Sequence, residues 1–276
     1  TVLMVAILRV FEYEFLEERK VKEAMEHDAV VAAEIQNELL PRVPLITDGA
    51  QIYARLVQAR IVGGDTFDYY ESHDDRAVFM IADASGKGSP AALLCMAGLI
   101  TVETESFKSE NPAMILKQTN KRLTKRFPAG SFITAAMGRY FPKEGLVDMA
   151  SCGQNPPLIY RKKEHCWRVV DLPGSLPMGV DSDAEPSEII IGVKPGDRLL
   201  MYTDGLIDMR NPQGEKVSFE NIISWLNAQA DLGPSEILDH LVDLVLSISG
   251  ATLYDDITVL LVHFEDIGTS GAQKAA

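Results

Sequence analysis

Apolar positions recur along this chain in three rhythms, and each predicts a different kind of element. Residues 1 to about 40 contain no Gly or Pro before Pro41, and Leu3, Ile7, Val10, Val21, Ala24, Val31 and Ile35 fall on a heptad-like stripe. Glu14, Glu17 and Asp28 interrupt that stripe, so the pattern predicts a helical segment with a weak seam. Two readings stay open: helices lying on the following domain, or a dimerising, signal-transmitting helix. Pro41 and Pro44 close the segment.

From Ala50 the texture changes to short runs. Gln51–Gln58 alternates, and Arg76–Ala82 is a compact apolar run of the kind buried in a sheet. Further strands are predicted at 132–141, 146–151, 158–161, 167–172, 187–193, 198–202 and 257–264. Longer periodic segments predict helices over 90–107, from Asn111-Pro112 to about Phe127, over 219–229 and over 235–248. Strict strand–helix alternation is absent, so the pattern predicts an α+β layered fold. The organisation expected is a helical segment over 1–44, one domain over 45–266 and a small polar, disordered tail over 267–276.

Acidic residues at the ends of these runs carry the candidate chemistry. Gly63-Gly64 precede Asp65, and Asp83 ends the 76–82 run before the turn Ala84-Ser85-Gly86-Lys87-Gly88. Two more acidic turns follow far down the chain, Tyr202-Thr203-Asp204-Gly205 and Tyr254-Asp255-Asp256-Ile257-Thr258. Asp and Gly are ordinary loop residues, and one such turn alone would be structural. Four carboxylates at one rim, however, repel one another unless cations separate them. A pair of divalent ions about 4 Å apart, bridged by one carboxylate, suits hydrolysis of a phosphate ester by metal-bound water. The five histidines, His27, His73, His165, His240 and His263, lie in no motif that would suggest another nucleophilic machinery.

Bulk properties narrow the partners. The net charge of −14 argues against nucleic acid and anionic membranes and suits hard cations such as magnesium or manganese. Three cysteines, Cys95, Cys152 and Cys166, follow no zinc spacing and fit a reducing, cytoplasmic location. No apolar run is long enough to span a bilayer. The chain starts at a threonine, which suggests a piece of a longer protein with an upstream sensory domain.

The acidic turns belong to an ordered set of motifs. In chain order these are Ala33-Glu34-Ile35-Gln36 with Leu39-Leu40-Pro41, Ala59-Arg60, Val62-Gly63-Gly64-Asp65 with Asp68, and Asp83 with Ser85-Gly86-Lys87-Gly88 and Pro90-Ala91-Ala92-Leu93-Leu94. Gly153 with Asn155-Pro156-Pro157-Leu158, Pro195-Gly196-Asp197 with Tyr202-Thr203-Asp204-Gly205, and Asp255-Asp256-Ile257-Thr258 complete it. In this set, spanning roughly Ala33 to Phe264, the chain resembles the metal-dependent protein phosphatases of the PPM (phosphatase 2C) superfamily, in their bacterial RsbU/SpoIIE-like branch.

The resemblance implies a β-sandwich of two antiparallel sheets flanked by helices, and hydrolysis of phosphoserine or phosphothreonine on a protein. The substrate it implies is a phosphorylated STAS-domain, anti-anti-sigma-type protein of bacterial stress signalling. Matched residue by residue, Asp83 would bridge two Mn2+ or Mg2+ ions, with the Ala84 carbonyl facing one. Asp204 and Asp255 would complete one site, and Asp65 would serve the other. Arg60 is the candidate phosphate contact, with Lys87 as the alternative. Thr66 and Gln154 depart from the family pattern, and Ser85 stands where eukaryotic relatives carry a histidine thought to act as general acid. The weak stripe over residues 1–40 leads to the expectation of a homodimer through these helices. Two rivals compete: a catalytically weak partner-binding module on the same fold, and a nucleotide cyclase suggested by Gly63-Gly64-Asp65-Thr66-Phe67.

Overall fold

The structure is a computed structural model that describes residues 2–72, 74, 76–250 and 253–268. The first element is a single helix, α1 (Val2–Leu39). It does not lie on the domain along its length. Val21, Val31 and Ile35 of the predicted stripe are exposed, whereas Ala33, Gln36 and Leu40 are buried. Ala33 packs with Val62 and Ala92. The side chains of Leu3, Ile7 and Val10 lie outside the described residues, as does the tail beyond Gly268. No described helix is long and apolar enough to cross a membrane.

Among the described residues, eleven strands form two antiparallel sheets. The first contains β1 (Leu45–Thr47), β2 (Ala50–Val57), β7 (Leu158–Arg161), β8 (Cys166–Val169), β10 (Arg198–Tyr202) and β11 (Ile257–Phe264), in the order β1-β2-β11-β10-β7-β8. The second contains β3 (Asp65–Glu71), β4 (Ala77–Ala84), β5 (Ile133–Phe141), β6 (Leu146–Cys152) and β9 (Ser187–Gly192), in the order β3-β4-β5-β6-β9. This is the α+β sandwich expected from the sequence.

The sheets face one another across a core that includes Ile52, Phe79, Ile81, Met149, Leu199 and Phe264. Each sheet is covered on its outer face by helices. α2 (Ser89–Ser106) and α3 (Pro112–Leu123) cover the second sheet through Cys95, Leu99 and Leu116. α5 (Phe219–Ala228) and α6 (Pro234–Ser249) cover the first through Leu226, Ile237 and Leu241. β4 is therefore buried on both sides: Phe79 and Ile81 face the other sheet, Val78, Met80 and Ala82 face the helices. That is why its sequence is a continuous apolar run rather than an alternating one.

Several boundaries differ from expectation. β3 was not predicted, because its polar residues disguise the period: Phe67 and Tyr69 enter the core while Thr66, Asp68 and Tyr70 face the other way. β1 and the short helix α4 (Asp204–Ile207) also lack a sequence signal. α3 ends at Leu123 instead of near Phe127, and β8 covers 166–169 instead of 167–172.

Candidate active site

Asp65 and Asp83 are directly opposed residues of β3 and β4. Phe67 and Ile81, two positions further in, point into the core between the sheets. The period of two therefore puts both carboxylates on that inner face, at the end of the sandwich. Asp65 is buried, and its Oδ2 accepts hydrogen bonds from the Thr203 and Thr258 hydroxyls, each at 2.7 Å. Both threonines belong to the opposite sheet, one just past β10 and one within β11. Burial beside Asp83 pushes the Asp65 carboxyl well above the usual carboxylate range, against the lowering effect of the two hydroxyls.

The other two acidic turns arrive from that same sheet. Asp204 is the first residue of α4, two residues after β10 ends, and Asp255 precedes β11. Their charges act on Asp83, whose carboxyl is pushed up to about 7 by burial, then by Asp204 and Asp255; a hydrogen bond with Asp65 opposes the rise. Asp204 is itself raised by burial and by Asp255. The structure thus gathers Asp65, Asp83, Asp204 and Asp255 into one electrostatic cluster. Ala84 follows Asp83, and its carbonyl oxygen lies so close to Gly64 that a Cβ there would stand 3.0 Å from it. Asp68 lies on the opposite face of β3, where burial and Glu103 raise its carboxyl to about 6, so it is no part of the cluster.

A set of supporting residues holds this rim; most lie in the motifs quoted above, where the sequence assigned them no role. The Asp256 carboxylate is buried and accepts from the Ala59 amide at 2.7 Å and the Gly64 amide at 2.8 Å. A side chain at Gly63 would strike that carboxylate, and one at Gly205 would strike the Asp256 carbonyl. Both glycines are required by close approach. Gln36 of α1 donates to the Gly63 and Asp65 carbonyls at 3.1 and 3.2 Å, and Gln58 donates to Gln36 at 3.0 Å. The buried Cys95 thiol donates to the Gly64 carbonyl. Gln154 accepts from Thr134 at 2.6 Å and donates to the Tyr202 carbonyl at 3.0 Å, tying β5 to the end of β10. A glutamine does this because it carries both an acceptor and a donor. The one available signal for these residues was their adjacency to motif glycines and aspartates.

The cationic candidates fall differently. Arg60 is exposed on the loop before Gly63 and makes no ion pair among the described residues. Lys87 is bound to Asp255 at 2.9 Å and to the Tyr254 carbonyl at 2.6 Å. Ser85 exchanges hydrogen bonds with the backbone of Phe132, so its hydroxyl accepts at 2.9 Å from the Phe132 amide. Among the described residues, no three His, Cys, Asp or Glu side chains already stand at liganding distance around one point. The donor set nevertheless fits divalent cations by its chemistry: hard carboxylate oxygens, a carbonyl beside them, and mutual repulsion that a cation would relieve.

The stage II sporulation protein E (SpoIIE) family matches residues 73–265. Phosphoserine phosphatase RsbU of Bacillus subtilis is 24% identical over 89% of this chain and 72% of its own length. Phosphoserine phosphatase RsbP of the same organism is 24% identical over 64% of the chain, which spans only 44% of that relative. Among solved structures, the SiaA PP2C domain of Pseudomonas aeruginosa superposes with a TM-score of 0.76 at 19% identity, covering 89% of this chain and 99% of that one. The catalytic domain of the serine/threonine protein phosphatase PstP, in complex with two manganese ions, gives 0.60 at 17% identity, covering 80% and 100%.

Proposed function

The chain belongs to the SpoIIE family and is a protein-serine/threonine phosphatase; on that premise we propose that it dephosphorylates a small STAS-domain protein in bacterial signalling. We assign Asp65, Asp83, Asp204 and Asp255, with the Ala84 carbonyl, as the residues that would hold two divalent cations, Mn2+ or Mg2+. The observation that supports this assignment is the pairing of Asp65 with Asp83 across β3 and β4, with Asp204 and Asp255 at the ends of β10 and β11 in the facing sheet. When bound, such cations supply Lewis acidity towards water and towards the phosphoryl oxygens. The chain's own groups do the rest. Thr203 and Thr258 orient Asp65, Asp256 and Gln36 hold the Gly63-Gly64 backbone, and Gln154 fixes the end of β10 ahead of Asp204. Arg60, exposed and free of a carboxylate among the described residues, is the proposed contact for the substrate phosphoryl group.

The organisation over 1–44, 45–266 and 267–276 belongs to the same proposal, with α1 forming a homodimer. Phe11, Phe15, Val21 and Met25 stand exposed on α1, where a second copy would bury them. The cyclase-like reading of Gly63–Phe67 falls with family membership, and the retention of all four carboxylates favours turnover over a purely binding role. The deciding experiment is hydrolysis of p-nitrophenyl phosphate and of a phosphorylated STAS-domain protein with manganese. Turnover abolished by chelator and by Asp83→Asn supports the reading; turnover that resists chelator overturns it.

A further inference from the structure

The charge of this chain is distributed very unevenly. Between Glu110 and Glu144 there is no acidic residue, yet that stretch holds seven cations: Lys117, Lys121, Arg122, Lys125, Arg126, Arg139 and Lys143. In a chain of net charge −14 the other residues therefore carry −21. Four of the seven line a cleft of about 370 Å³ with Gln118 at the end of α3: Lys121, Arg122, Lys125 and Arg126. One or two cations in a last helical turn are ordinary compensation of the helix dipole, and Lys121 with Arg122 would serve it. Arg122 is paired with Glu105 at 2.6 Å. Lys121, Lys125 and Arg126 have no carboxylate partner among the described residues.

This cleft is connected to the rim. Past Arg126 the chain runs six residues to Phe132, whose backbone is bonded to Ser85, two residues beyond Asp83. Asn120 of α3 anchors the neighbouring loop by donating to the Asp181 carbonyl at 2.7 Å and accepting from the Gly179 amide at 2.9 Å. Ser131 and Phe132 lie against Gly179. α3, the 127–132 turn and the 178–181 loop thus pack together, and the chain between them joins the cations to Ser85. Six residues span at most about 20 Å, so an extended substrate segment of similar length reaches from one to the other.

We propose that this cleft is a docking site for an acidic segment of the phosphoprotein substrate, lying a few residues from the phosphorylated side chain. The inference rests on the phosphatase reading and adds a specificity determinant to it. Charge complementarity selects the occupant. A short acidic segment can meet the three unpaired cations while Glu105 and Glu185 are held by Arg122 and Lys117, whereas a duplex or an anionic bilayer would also face the negative remainder of the chain.

The test uses two fluorescent phosphoserine peptides of equal length, one with Glu and one with Gln at about three to six residues on either side of the phosphoserine. Wild type is expected to bind the Glu peptide about tenfold more tightly, with added salt removing the difference. Lys121→Gln/Lys125→Gln/Arg126→Gln should bind both alike while hydrolysing p-nitrophenyl phosphate at the wild-type rate. Equal affinities in wild type, or a preference that survives the triple substitution, would overturn the proposal. Tighter binding of anionic vesicles or duplex DNA than of the Glu peptide, through the same three residues, would overturn it too. Loss of p-nitrophenyl phosphate turnover in wild type itself would strike the phosphatase reading, while patch-dependent peptide binding would still uphold the acidic docking surface.

Discussion

Thr258 donates its hydroxyl to the buried Oδ2 of Asp65 at 2.7 Å, joining β11 of one sheet to the first residue of β3 in the other. The bond clips the two sheets together beneath the acidic rim, and Thr203 duplicates it from the end of β10. Thr258→Val keeps the shape but removes one donor from a buried carboxylate. A loss of about 1–3 kcal/mol in urea unfolding is expected. The same variant should bind manganese more weakly in a calorimetric titration, because Asp65 is no longer held from both sides.

Asp83→Asn separates stability from function. Burial and the neighbouring carboxylates raise Asp83 to about 7, above its value of 3.8 in an unfolded chain. A raised carboxyl costs stability as pH climbs from the unfolded to the folded value. Metal-free Asp83→Asn is therefore expected to be more stable than wild type at pH 8, by about 1–2 kcal/mol, with the difference vanishing near pH 4. Thermal melts in chelator across that range would check it. Phosphatase turnover should be lost in the same variant.

Asp255 and Asp256 are neighbours with different work. Asp256 braces two backbone amides of the 59–64 loop, whereas Asp255 is half-exposed and pairs with Lys87. Asp255→Ala should leave the melting temperature nearly unchanged and cut turnover by about a hundredfold or more. Asp256→Ala should cost about 2–3 kcal/mol of stability by leaving buried amides unpaired. Equal melting temperatures for the two variants would show that the brace is dispensable.

His263 on β11 sets an acid limit on the fold. Burial, then Arg198 and Lys162, lower its pKa from 6.5 to about 4. Glu265 lies 3.9 Å away but is already engaged by Gln51, and burial dominates. The neutral ring's contribution is complete above pH 6.5 and drains away as pH falls towards 4. His263→Gln should flatten that limb of the stability curve by up to about 3 kcal/mol, less whatever solvent screens at a partly exposed ring. Chemical unfolding at pH 7 and pH 4.5 gives the comparison.

α1 supplies the remaining prediction. Deleting residues 1–32 removes the exposed Phe11, Phe15, Val21 and Met25 but keeps Gln36 and its bonds to the Gly63 and Asp65 carbonyls. The truncated protein should be monomeric by light scattering, and its turnover at limiting manganese should change. Gln36→Ala in the full chain should alter manganese dependence without altering mass. A dimer that survives the deletion would remove α1 from the interface.

Local pattern alone determined much of this protein. The apolar run of β4, the proline in the first turn of α2, the Asn111 cap of α3, and the acidic turns at Asp65, Asp83, Asp204 and Asp255 were legible because each is written within a few consecutive residues. The packing partners were not. Thr258 lies 193 positions from Asp65, and the Asp256 carboxylate meets the Gly64 amide across 192. Neighbours on an extended segment point to opposite faces, but only the tertiary structure decided that Asp255 faces Lys87 while Asp256 braces a backbone loop. It also decided that Val21, Ala24, Val31 and Ile35 of the α1 stripe stay exposed while Gln36, a polar residue beside it, is buried. Periodicity records which face of an element is apolar; which neighbour satisfies a buried hydrogen-bonding group depends on how distant segments meet.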